Sequence, residues 1–183
     1  SGGGEARPPG DTPGLEATTY FQAEAECWSF GTVVCVVAVD PETGRLVIER
    51  LVWVDDAGTI INPLLAEGQL HGSLAQGLGQ ALMEAIVYDA DGQCLTSTLM
   101  DYAIPGAEDM PAVLIEKMHT PSPRNPLGAK GLGEAGCIAM PPAMVNAAVD
   151  ALAPLGITHV DMPLTAPRLR AVLTGTRKGT PST

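Results

Sequence analysis

Charge is scarce in this chain: 17% of its 183 residues are Asp, Glu, Lys or Arg, against about 25% in an average globular domain. What charge there is leans acidic, for a net of -11. Sequence-independent nucleic-acid binding and adsorption to an anionic membrane both need clustered Lys and Arg, so both are disfavoured. No apolar run approaches the roughly 18–20 residues needed to span a bilayer. The opening SGGGEARPPGDTPG has neither a basic n-region nor an apolar h-region, and does not read as a signal peptide. Cys27, Cys35, Cys94 and Cys137 form no CxxC pair and have no histidine at ligand spacing. They read as reduced thiols of a cytoplasmic protein, which leaves no zinc or iron–sulfur site built by this chain alone.

What is present is a chain of one-domain size, or a piece of something larger. Apolar residues make up 45%, and there are 21 glycines and 16 prolines. With so little charge, that composition suggests a surface covered by another part of the protein. Residues 1–14 read as a flexible lead-in or processed end, 15–174 as the folded region and 175–183 as a loose tail. Gly31 to Asp40 and Arg45 to Trp53 are β-branched runs flanking Pro41-Glu42-Thr43-Gly44, a hairpin with a glycine-ended turn. Gln93 to Leu99, Ala112 to Met118 and Ile157 to Val160 read as further strands. There is no internal repeat and no regular βαβ alternation. The expected class is α+β: an antiparallel hairpin or sheet packed with a glycine-rich helix and a second, C-terminal helix.

The glycine-rich helix follows Asn62-Pro63, an N-cap and first-turn pair. It carries Leu70, Leu74, Leu78, Leu82 and Ile86 at four-residue spacing. It also contains Gly68, Gly72, Gly77 and Gly79, and at about 1 kcal/mol each the set costs about 4 kcal/mol of helix propensity. A helix under that penalty is expected to be buried, with something pressed against its backbone. Pro141-Pro142 is expected to open the second helix, with Met144, Val145, Ala148, Val149 and Leu152 as its apolar stripe and Gly156 as its stop. Pro167 to Leu173 reads as a short basic helix.

The loop between Pro121 and Gly136 holds the candidate chemistry. NPLGAKGLGEAG sets four glycines around Lys130 and Glu134, and glycine lets a backbone approach another molecule closely. Gly131-x-Gly133-x-x-Gly136 formally matches a dinucleotide fingerprint, but that motif needs a strand directly before it, and Pro121 to Pro126 cannot supply one. Glu134 has two readings on spacing alone: a carboxylate ahead of a helix start, favoured by the helix dipole, or an acid–base group held beside a ligand. Asp55 and Asp56 read as turn carboxylates.

Three segments together carry a resemblance. DDAGTIINPLLAEGQLHGSLAQGLGQALMEAIVYDADGQ, then LMDYAIPGAEDMP, then NPLGAKGLGEAG with its helix, resemble the C-terminal part of the catalytic subunit of molybdenum hydroxylases. That family comprises xanthine dehydrogenases, aldehyde oxidoreductases and aerobic carbon monoxide dehydrogenases. The likeness covers nearly all of residues 15–174, in order. It implies a molybdenum ion held by a molybdopterin, in bacteria usually the cytosine dinucleotide. Glu134 then matches the glutamate beside the metal, with an implied role as general base, or as an orienting group in the carbon monoxide variant. The resemblance further implies that Gln69 hydrogen-bonds the cofactor and that Lys130, Gly131 and Gly133 form the loop against it. Asn62 then starts the helix that approaches it. No residue of this chain is a direct metal ligand.

The family's catalytic subunits are several times longer than this chain, so the chain holds part of a site. The implied partners are the remainder of the subunit, an iron–sulfur subunit carrying 2Fe–2S clusters and a flavin subunit carrying FAD. The implied reaction is oxidation of an aldehyde, N-heterocycle or similar small substrate with water as oxygen donor. A non-catalytic assembly or cofactor-handling protein is the rival reading, disfavoured because a scaffold has no use for Glu134.

Overall fold

β-branched runs and one turn build the hairpin. In the computed structural model, which describes residues 16–23 and 25–178, β1 (Phe30–Val39) pairs antiparallel with β2 (Leu46–Asp56). The Asp40 carboxylate closes the turn by accepting the Glu42 amide at 2.8 Å and the Thr43 hydroxyl at 2.6 Å. Gly44 ends it at φ +75°. The hairpin is the expected one, except that β2 continues past Trp53 to Asp56.

β3 (Val113–Lys117) joins the other edge of β2 in parallel, so the sheet, in the order β1-β2-β3, is mixed rather than antiparallel throughout. A parallel return needs a crossover of a dozen or more residues, and the long helix after β2 provides it. Two expected strands do not form. Gln93 to Leu99 makes one isolated bridge, Tyr88 to Cys94, and Ile157 to Val160 pairs with no strand among the described residues. Ile157 and Val160 are nevertheless buried: an apolar run can reach the core as coil.

The crossover helix, α1 (Pro63–Leu82), starts as expected, with Asn62 Oδ1 accepting the Leu65 amide at 3.2 Å. Leu70, Leu74 and Leu78 are at most 1% exposed, whereas Ile86 falls beyond the helix and is 63% exposed. The leucine stripe packs on α2 (Ala135–Leu152), which starts well before Pro141 and holds both prolines inside it. Proline in a helix interior costs about 3 kcal/mol or more. Burial of Met140, Met144, Ala148 and Leu152 between α1 and β1 offsets that cost.

The two helices approach closely where one or the other has a glycine. A Cβ on Gly77 would lie 2.7 Å from Met140 Cβ, and one on Gly136 would lie 2.4 Å from Ser73 Oγ. So half of the glycine penalty on α1 is explained within the chain: Gly77 meets α2 and Gly79 meets Pro105, but among the described residues nothing lies within 4 Å of a Cβ at Gly68 or Gly72. By length and composition, Ala135–Leu155 would be apolar enough to cross a membrane, at mean hydropathy 1.3, which the sequence reading did not find. One face of it, Met140, Met144, Ala148 and Leu152, is buried against α1 and β1, and 28% of that stretch is buried in all. The last helix, α3 (Ala166–Lys178), covers the expected Pro167 to Leu173 and runs on past Gly175. The lead-in of residues 1–14, Leu15, and the tail from 179 onward lie outside the described residues.

Candidate functional site

The loop that carries Glu134 is an irregular extension of the sheet. Lys130 N–H donates to Ala57 at 2.9 Å, Thr59 N–H to Gly128 at 3.0 Å, and Gly131 N–H to Cys27 at 2.8 Å. The first two place the loop beside the end of β2, and the third lays the segment before β1 against it. Asn125 braces the turn, its side chain exchanging hydrogen bonds of 2.8 and 3.2 Å with Ala129. Gly128 takes φ +70°, and a Cβ there would lie 2.8 Å from Pro121, so conformation and space both demand glycine.

Asp56 sits beneath this loop, fully buried. Its Oδ1 accepts from Gly58 N–H at 2.9 Å, Thr120 N–H at 3.1 Å and Lys130 Nζ at 3.1 Å. The Lys130 ammonium lies 4.1 Å over the Phe30 ring, and Phe30 is the register partner of Asp56. Burial alone would raise the Asp56 pKa, but these hydrogen bonds outweigh it and hold the carboxyl well below its usual range. Asp55, on the opposite face of β2, is buried with one carboxylate oxygen unpartnered among the described residues. Burial, then the Asp56 charge, pushes its pKa up to about 6 against the pull of Lys130. Neither is the turn carboxylate that the sequence suggested. The run LVIERLVWV simply continues as strand for two more residues.

Beyond the stem, the chain turns into α2 around a cleft of about 320 Å³ lined by Trp28, Gly131, Gly133, Glu134 and Ile138 among others. Glu134 is the N-cap residue of α2, yet its side chain makes no capping bond; the Gly136 amide is instead taken by Ser73 Oγ of α1 at 3.1 Å. The helix-start reading of Glu134 therefore has no hydrogen bond to support it, and its carboxylate is exposed to the cleft. Gln69 abuts the loop from α1, its amide nitrogen 3.3 Å from where a Gly133 Cβ would be. Among the described residues that amide has no hydrogen-bond partner. Asn62 is two helical turns away, about 10 Å by helix rise, with its side chain engaged as the cap. Lys130 Nζ points away from the cleft, into the ion pair.

So the structure gathers Glu134, Gly131, Gly133 and Gln69 in one place, and leaves Asn62 and the Lys130 ammonium outside it. Asp56, Phe30 and Ser73 carry the loop and were not singled out as site residues by the sequence. Among the described residues no cluster of three or more His, Cys, Asp or Glu could hold a metal. The dinucleotide fingerprint fails on geometry: β3 ends at Lys117 and the intervening chain is loop.

Comparison with known proteins defines the class. Residues 5–111 match the model of the molybdopterin cofactor-binding domain, and the chain belongs to that family. It is 42% identical over 162 residues to the carbon monoxide dehydrogenase large chain of Hydrogenophaga pseudoflava, covering 88% of this chain and 20% of that one. It is 39% identical over 158 residues to the nicotine 6-hydroxylase large subunit of Paenarthrobacter nicotinovorans, covering 86% and 19%. Reconstituted CO dehydrogenase from Oligotropha carboxidovorans superposes with TM-score 0.88 at 37% identity over 94% of this chain and 22% of that one. The chain thus spans about a fifth of the length of these relatives.

The cleft fits a bulky, rigid cofactor. A Cβ on Gly131 would meet only the Cys27 carbonyl, at an ordinary 3.5 Å, so no contact among the described residues demands a glycine there. The position is open to a group from outside the chain. The same holds for the open flank at Gly68 and Gly72, and the unpartnered Gln69 amide offers both a donor and an acceptor.

Proposed function

We propose that this chain is the C-terminal portion of the catalytic subunit of a molybdenum-dependent hydroxylase or dehydrogenase. Its substrate is an aldehyde, an N-heterocycle or a similar small molecule, with water as oxygen donor. The observation that carries this reading is Glu134: a carboxylate at a helix start that caps nothing and opens onto a glycine-lined cleft. The cofactor is molybdopterin, as the cytosine dinucleotide, with molybdenum; when bound it supplies the electron sink and the activation of water.

The chain's own residues do the rest. Gly131 and Gly133 let the cofactor approach the backbone. Gln69 hydrogen-bonds its rim, and Asn62 fixes the start of the helix that carries Gln69. Lys130 contributes by holding the loop stem, its ammonium meeting Asp56 rather than the cofactor. Glu134 accepts the proton released during oxidation on a carboxylate oxygen. In this chain that carboxylate is exposed, so the wall that screens it comes from the remainder of the subunit. An iron–sulfur subunit with 2Fe–2S clusters and a flavin subunit with FAD carry the electrons away. The face that α2 packs on α1 and β1 and the four free cysteines support a cytoplasmic protein without a membrane span, and the acidic charge argues against a nucleic-acid partner.

Purifying the native complex through this chain tests the reading. The complex is expected to contain molybdenum and a pterin in near-equal amounts, with the remaining subunit sequence identified by mass spectrometry. Gln69→Ala is expected to lower the molybdenum content. A complex without molybdenum would overturn the proposal.

A further inference from the structure

We infer that Asp56 and Lys130 act as a buried latch that fixes the stem of the Glu134 loop, which makes Asp56 a positioning residue for the proton-accepting carboxylate. One oxygen, Asp56 Oδ1, gathers donors from three separate segments: Gly58 after β2, Thr120 after β3 and Lys130 in the loop itself. The Lys130 side chain is only 8% exposed, closed over by the Phe30 ring. Its own amide and that of Gly131 are bonded to Ala57 and Cys27. On the far side, the Gly136 amide is bonded to Ser73. Glu134 therefore sits on a short bridge between Gly131 and Gly136, both anchored, and a shift of the stem has few residues over which to dissipate.

Stability is a weak reason for such a pair. Burying two charges costs desolvation that their attraction barely repays, and apolar replacements of similar volume are often neutral or better. What an apolar pair could not do is fix where the lysine backbone sits relative to three strand ends. A misplacement of about 1 Å at a reacting group costs about 100-fold in rate, which is the scale on which the latch matters. The inference rests on the proposed role of Glu134, but the latch itself is a statement about the loop.

The test uses the assembled, cofactor-loaded protein with Lys130→Met and Asp56→Asn, beside Glu134→Gln. Each latch variant is expected to lower kcat per molybdenum about 10- to 100-fold with KM within about twofold. The acid limb of the pH–rate profile should move, and amide exchange across residues 131–135 should rise about tenfold. Unchanged kcat per molybdenum, pH profile and exchange, with only a lower Tm, would overturn the latch. If Glu134→Gln keeps its turnover, the base assignment fails, yet the exchange measurement still judges the latch: faster exchange supports it and unchanged exchange refutes it. Should Lys130→Met fail to assemble, Phe30→Leu loosens the same contact from the ring side. Its exchange is expected to rise about threefold, and no rise would count against the inference.

Discussion

Ser73 Oγ accepts the Gly136 amide at 3.1 Å, joining the middle of α1 to the first turn of the helix that begins at Glu134. The hydroxyl also donates to Leu70 O at 3.1 Å, so the buried Ser73 both donates and accepts. It sets the level at which α2 enters the structure.

Ser73→Ala would leave the Gly136 amide buried without an acceptor, at a cost of about 1–3 kcal/mol. Gly136→Ala would force a Cβ to within 2.7 Å of the Leu74 backbone nitrogen, and the helices would have to part. Thermal unfolding is expected to show a lower Tm for both, by about 2–4 °C per kcal/mol for a chain of this size. An unchanged Tm for Gly136→Ala would contradict the close approach.

The glycines of α1 are expected to divide into two kinds. Gly77→Ala places a Cβ 2.7 Å from Met140 Cβ and is expected to destabilise by about 1–3 kcal/mol through overpacking. Gly72→Ala meets nothing within 4 Å and is expected to stabilise cofactor-free protein by up to about 1 kcal/mol through helix propensity. Denaturant midpoints check the pair. In loaded protein the Gly72→Ala gain should vanish, with less molybdenum bound, because that flank faces the cofactor in the proposed arrangement.

Asp55 gives a pH signature of its own. Its folded pKa of about 6 lies above the unfolded value of about 3.9, so the native state binds the extra proton between those values. The favourable contribution is complete below about pH 4 and is lost as pH rises through about 6. Asp56 acts with the opposite sign: its depressed pKa stabilises above about pH 4 and is lost in acid. Asp55→Asn should therefore raise stability at pH 7, by on the order of 1–2 kcal/mol after allowance for solvent screening, with little change at pH 4. Urea unfolding at the two pH values measures this; an equal effect at both would contradict the assignment.

Much of this was legible in the residues. The β-branched runs around Pro41 to Gly44, the Asn62-Pro63 start and the leucine stripe are local signals, and the structure follows them. The misses share a cause: tertiary packing overrode a local rule. Pro141-Pro142 looked like a helix start, yet α2 extends back to Ala135 because Ser73 caps its first turn and α1 buries its apolar face. Asp55 and Asp56 looked like turn residues because burial by a lysine 74 positions on leaves no trace in local sequence. The loop glycines announced a close approach, but spacing alone could not divide them between helix, stem and cofactor. Gly77 and Gly136 turned out to serve the helices and Gly128 the stem, leaving Gly131 and Gly133 for the cleft.

The most direct test of the central claim is turnover of Glu134→Gln in the assembled enzyme, measured per bound molybdenum. Removing a general base is expected to lower kcat about 100- to 10,000-fold, with molybdenum and pterin content unchanged, since the amide keeps the shape of the cleft. Turnover near that of the unaltered enzyme at full molybdenum occupancy would contradict the account.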